Sequence, residues 1–105
     1  DTDVPARVIT RGANGITLET RDLRIDVPAV SVPVQDTIGA GDTIMGALLT
    51  QFDLRGNGNP RALIDSLTAD EWRDILTYAA TAAAITCSRV GAQPPTDAEV
   101  QGMLA

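Results

Sequence analysis

Asp36-Thr37-Ile38-Gly39-Ala40-Gly41-Asp42-Thr43 is a turn of small residues with a carboxylate at each end. It runs straight into Ile44, Met45, Ala47, Leu48, Leu49 and Phe52, which recur at helical spacing. A helix that begins on such a turn leaves its first backbone N–H groups without intrahelical acceptors, and the helix dipole adds partial positive charge at that end. Both effects favour an anion, phosphate above all. An aspartate in the same turn, Asp42, is placed to accept a proton. Cradle and base together point to phosphoryl transfer.

Upstream of this turn the chain reads as β. Arg7-Val8-Ile9-Thr10 has the residues of a short strand, and Arg11-Gly12-Ala13-Asn14-Gly15 those of a turn. Ile16-Thr17-Leu18-Glu19-Thr20 alternates apolar and polar side chains, and Leu23, Ile25 and Val27 repeat the alternation. An antiparallel pair over residues 16–27 is expected. Val30, Val32 and Val34 continue as an extended segment, with Pro28 and Pro33 marking an edge or a loop.

Downstream it reads as α. A first helix is expected from about Gly41 to Leu54, stopped by Arg55-Gly56-Asn57-Gly58-Asn59. A short helix after Pro60 would fit proline's preference for a first helical turn. Thr68 and Glu71 stand at capping-box spacing before a long helix from residue 69 to about 88. On that helix Trp72, Ile75, Leu76, Ala79 and Ala83 step by three and four, and Ala79 to Ala84 would admit a close neighbour. Thr96 and Glu99 repeat the capping box ahead of a last helix.

Composition sets the chemical limits. The 105 residues suffice for one small domain, 44% hydrophobic and 21% charged, as in an ordinary globule. No apolar run approaches the roughly 18–20 residues of a membrane span, so no membrane partner is expected. Histidine is absent, which removes the commonest general base and metal ligand. All eight basic residues are arginines, and without lysine a Walker-type phosphate loop is excluded. A net charge of −6 disfavours nucleic acid as a partner. Cys87, the single cysteine, cannot pair within the chain; it reads as a small packing residue in a protein of the reducing cytoplasm.

The eight-residue turn resembles the Asp-Thr-x-Gly-Ala-Gly-Asp signature of the ribokinase-like (PfkB-type) sugar kinases. Thr10-Arg11-Gly12-Ala13-Asn14-Gly15 is similar to that family's Thr-x-Gly-x-x-Gly nucleotide loop. Ala82-Ala83-Ala84-Ile85-Thr86-Cys87-Ser88-Arg89-Val90-Gly91-Ala92-Gln93-Pro94-Pro95 is similar to its alanine-rich helix and closing loop. The resemblance covers residues 10–95 in the family's order and corresponds to the C-terminal third of a typical member. It implies an α/β, ribokinase-like fold, a three-layer α/β/α sandwich in the complete protein. Residues 1–35 would hold strands and the nucleotide loop, and residues 36–105 the anion-hole motif and helices. The chain opens as if in mid-fold and is expected to be the C-terminal part of something larger.

The resemblance also implies an activity: ATP-dependent phosphorylation of a sugar hydroxyl, with Mg²⁺ on the phosphates. In look it is nearest to bacterial fructokinases; ribose, ketodeoxygluconate and nucleosides are the alternative substrates. By resemblance Asp42 is the catalytic base, and Gly39, Ala40 and Gly41 supply N–H groups to the transferring phosphoryl. Thr10, Arg11, Gly12, Ala13, Asn14 and Gly15 lie against the nucleotide with Gly41 and Asp42, and Thr81 lines its adenine side. Asp36, Ile38, Thr86, Arg89 and Gly91 match the positions around a monovalent cation, potassium. Each reading has a plainer counterpart. Asp42 could only complement the helix dipole, Asp36 could cap its own turn, and Gly12 and Gly15 could only form a hairpin. Trp72 and Tyr78 read as packing, and Arg21, Arg24, Arg55, Arg61 and Arg73 as solvated charges. The competing class is a non-catalytic nucleotide-binding or interaction piece. Alone, the chain is expected to be inactive, and to pair with the missing N-terminal part or, in the complete protein, to form a homodimer.

Overall fold

Apolar alternation at two-residue spacing gives the chain its sheet. The computed structural model describes residues 6–11, 14–21, 23–30, 39–55, 63–64, 66–89 and 94–104. Strands β1 (Ala6–Thr10), β2 (Ile16–Thr20) and β3 (Arg24–Val27) form an antiparallel meander in the order β1-β2-β3. Ile16 stands opposite Val27 and Leu18 opposite Ile25, so all four apolar side chains share the buried face. The pair expected over residues 16–27 is present, with β1 added on its far side. Thr17 breaks the simple in–out pattern, because it is buried as well. Its hydroxyl accepts from Arg11 Nε at 2.9 Å and donates to Asp26 Oδ1, so the second face of β2 is closed by a polar relay.

Helix α1 spans Ala40–Arg55, α2 Ala69–Cys87 and α3 Asp97–Leu104. Both capping boxes form. Thr68 Oγ1 accepts from the Glu71 N–H at 3.1 Å while Glu71 Oε1 accepts from the Thr68 N–H at 3.0 Å. Thr96 and Glu99 repeat this at 3.2 and 3.0 Å. Leu63, Ile64 and Ser66 are helical, in line with a short helix after Pro60.

The long helix α2 is the centre of the fold and packs on α1, α3 and β3. Ile75, Leu76 and Ala79 are fully buried on it, where the sheet's Ile16, Leu18, Ile25 and Val27 join the same core. Trp72 is 1% exposed and meets Phe52 of α1 edge-on, with centroids 5.8 Å apart. Such pairs contribute about 0.5–1.5 kcal/mol beyond their buried area. Tyr78, also buried, donates its hydroxyl to Asp97 Oδ1 at 2.6 Å and so ties α3 to α2. Burial and that carboxylate push the phenol up to about 12. Arg55 is less free than its sequence suggests, standing 3.9 Å from Glu71 and 3.4 Å from Gln51. Met45 and Leu49, one turn apart on α1, remain 57% and 59% exposed.

Candidate active site

Gly39 starts α1. Its carbonyl accepts the first intrahelical bond, from the Thr43 N–H at 2.9 Å, and its φ of +85° is a conformation that favours glycine. Having no side chain, Gly39 offers no cap to the donors that follow. The N–H groups of Ala40, Gly41 and Asp42 precede the first bonded amide of the helix, so helix geometry gives them no intrahelical acceptor. Gly41 and Asp42 are exposed. A Cβ added at Gly41 would meet nothing within 4 Å among the described residues beyond its own turn, so they do not require glycine at that position.

Gly39 and Asp42 line a cavity of about 550 Å³, with Tyr78 and Ala82 of α2, Asp97 and Val100 of α3, and Pro94 and Pro95 between them. That volume lies within the range of small-molecule sites. Tyr78 and Asp97 are the wall residues that sequence reasoning did not connect with this turn. Their bond joins positions 19 residues apart and leaves no local pattern.

Thr86 lies in the last turn of α2 with 0% exposure, and its hydroxyl stands 2.9 Å from that of Thr43. Its carbonyl accepts from the Arg89 N–H at 3.2 Å, while the Arg89 guanidinium pairs with Glu99. No basic side chain occupies the last turn of α2 itself. Of the expected cation residues, Thr86 stands beside the start of α1, and Arg89 follows three residues on with its guanidinium turned to Glu99. Asp36, Ile38 and Gly91 lie outside the described residues, as do Gly12 and Ala13 of the expected nucleotide loop.

The rest of that loop is a tight β1–β2 connection. Arg11 N–H donates to the Gly15 carbonyl at 2.8 Å, and Asn14 N–H to the Arg11 carbonyl at 3.0 Å. Gly15 has φ +99°, and a Cβ there would lie 2.0 Å from the Val27 carbonyl oxygen, so the fold requires this glycine whatever the loop binds. Thr10 closes β1 opposite Ile16. Thr81 is 2% exposed and donates its hydroxyl to the Thr77 carbonyl of its own helix. Among the described residues, neither the loop nor Thr81 contributes to the wall of the cavity.

Known proteins resemble this chain in sequence and fold. The fructokinase-1 of Oryza sativa subsp. japonica is 36% identical over 95 residues, which are 89% of this chain and 27% of that protein. A fructokinase from Xylella fastidiosa, solved with bound ATP, superposes with a TM-score of 0.87 at 29% identity, over 95% of this chain and 32% of its own. A ribokinase from Thermotoga maritima superposes with a TM-score of 0.71 at 27% identity, over 96% of this chain and 30% of its own. The chain therefore spans about a third or less of the length of these relatives. Residues 2–99 match the pfkB family of carbohydrate kinases, and with the glycine-started helix at their centre the chain belongs to that family and has its ribokinase-like α/β fold.

Proposed function

We propose that this chain is the C-terminal, nucleotide-handling part of an ATP-dependent sugar kinase of fructokinase type. The observation that carries the reading is the first turn of α1, whose opening amides have no intrahelical acceptor and whose Gly39 and Asp42 line one cavity. Asp42 takes the proton from the attacking sugar hydroxyl, whose oxygen bonds to the γ-phosphorus as the bond to ADP breaks. The donors of Gly39, Ala40 and Gly41 stabilise the charge on the equatorial phosphoryl oxygens, where catalysis of this transfer is concentrated. General-base help of this kind contributes about 10²–10⁴-fold. Substrate class rests on the fructokinases among the relatives.

Among the described residues no three carboxylate or thiol side chains converge, so Mg²⁺ would be held through the nucleotide's phosphates. The carbonyls of Thr86 and Arg89, with Asp36, Ile38 and Gly91, would hold potassium, and a cation there would offset the dipole at the end of α2. Thr10, Arg11, Asn14 and Gly15 would face the nucleotide from the β1–β2 connection, with Gly12 and Ala13, and Thr81 would act from behind the adenine. Cytoplasmic location and a homodimer complete the reading. The exposed Met45 and Leu49 would be covered by the remainder of the kinase.

Asp42→Asn in the complete kinase tests the proposal. The amide keeps size and helix start but cannot take the proton, so kcat falls by about 10² or more while ATP affinity stays within a few-fold. A loss under about tenfold in steady-state kinetics would reduce Asp42 to a dipole partner.

A further inference from the structure

Thr43 and Thr86 are 43 residues apart, yet their hydroxyls meet at 2.9 Å in the α1–α2 interface, at 9% and 0% exposure. Ile44, Ala47 and Leu48 on α1 and Ala82 and Ile85 on α2, close to them in sequence, belong to the apolar core, while Thr43 also borders the cavity. Packing alone would be served equally well by valine, which has the same shape. What a hydroxyl pair adds is a fixed distance and direction between two turns. The turns in question are the first of α1 and the last of α2. Thr43 holds the Gly39 carbonyl through its N–H and Thr86 through its side chain, and Thr86 in turn holds the Arg89 N–H. Three consecutive bonds thus connect the cradle's first residue to the loop that follows α2.

We propose that the Thr43–Thr86 pair is a positioning device that keeps the α1 cradle and Asp42 in register with the end of α2. Thr43 also lines the cavity beside Asp42, while the fully buried Thr86 acts on turnover only through the turn it holds. The inference rests on the kinase reading for its catalytic consequence, and on the geometry alone for the register. Displacement of a cradle by about an ångström is enough to cost on the order of 10²-fold in rate.

Two double variants of the complete kinase decide it. Thr43→Val with Thr86→Val removes both hydroxyls and leaves neither unpaired, so thermal stability is retained. Thr43→Ser with Thr86→Ser keeps the bond but deletes two buried methyl groups, so stability falls. The proposal therefore predicts opposite rankings. The valine pair is the more stable and loses about tenfold or more in kcat with KM for ATP within about threefold, while the serine pair is the less stable yet turns over at least about threefold faster than the valine pair. A wholly structural role would rank turnover with stability, and a valine pair with the wild-type kcat overturns the proposal. Amide exchange at residue 43, read by NMR, is independent of activity. If the wild type phosphorylates no sugar, the kinase reading fails, while faster exchange in the valine pair and not the serine pair still supports the register. Equal exchange in all three proteins overturns it.

Discussion

The two ends of the α1–α2 pair are built on opposite principles. At one end, α1 finishes on Arg55 and α2 begins on the Thr68–Glu71 capping box, and Arg55 reaches Glu71 across the interface. Donors and charges there are matched within the fold. At the other end, α1 begins on Gly39, which has no side chain to cap it, and α2 ends without a basic residue in its last turn. Among the described residues, a neutral hydroxyl pair links those ends. A protein selected for stability alone could use the first design at both ends. The open end leaves a positive and a negative dipole terminus side by side, which suits an anion and a cation bound next to each other.

The largest effect that would sharpen this contrast concerns the cation. Exchange of sodium for potassium at constant ionic strength is expected to raise turnover of the complete kinase, and Asp36→Ala to remove the response. Equal rates in both salts would leave the open end of α2 without a ligand and break the comparison there.

The closed end should behave differently. Thr68→Ala is expected to cost about 1 kcal/mol in urea unfolding and leave kcat unchanged, because the cap serves only the helix. A turnover loss of tenfold or more would show that the closed end also serves the chemistry. The smallest effect is its pH dependence. The Thr68 backbone N–H and hydroxyl, then Arg55, hold the Glu71 carboxyl below its usual range. That contribution is present above the ordinary carboxylate pKa of about 4.3 and is lost as pH falls through the lower folded value. The cost of Thr68→Ala should therefore shrink in acid, and a cost independent of pH from 7 to 3 would show that Glu71 does not carry it.

What the sequence disclosed follows the same division. The closed end was legible because a capping box is a four-residue pattern, and Thr68 and Glu71, like Thr96 and Glu99, carry it locally. The strands were legible because Ile16, Leu18, Ile25 and Val27 alternate with polar residues. Asp42 and its glycines were legible as a signature, but Thr43 had meaning only as the residue after Asp42. Its partner Thr86 lies on another helix, and only the packing of α1 on α2 brings them together. Tyr78 read as simple packing for a similar reason, since its acceptor Asp97 belongs to the next helix. Gly15 carried two readings, turn and nucleotide loop, and the approach of the Val27 carbonyl supplies a fold requirement that the loop motif concealed.

The central claim is that the first turn of α1 is shaped for a ligand and not for the fold, and Gly41→Ala tests it most directly. Among the described residues beyond its own turn, a methyl group at this position meets no atom within 4 Å, and alanine favours a helix over glycine by roughly 0.5–1 kcal/mol. Thermal unfolding and kcat are measured on the same preparation of the complete kinase. A melting temperature equal to or above the wild type, together with a kcat lowered by about 10² or more, is the predicted result, because the methyl group obstructs the phosphoryl alone. An unimpaired kcat in the equally stable variant would contradict the account, since no anion could then approach the backbone of this turn closely.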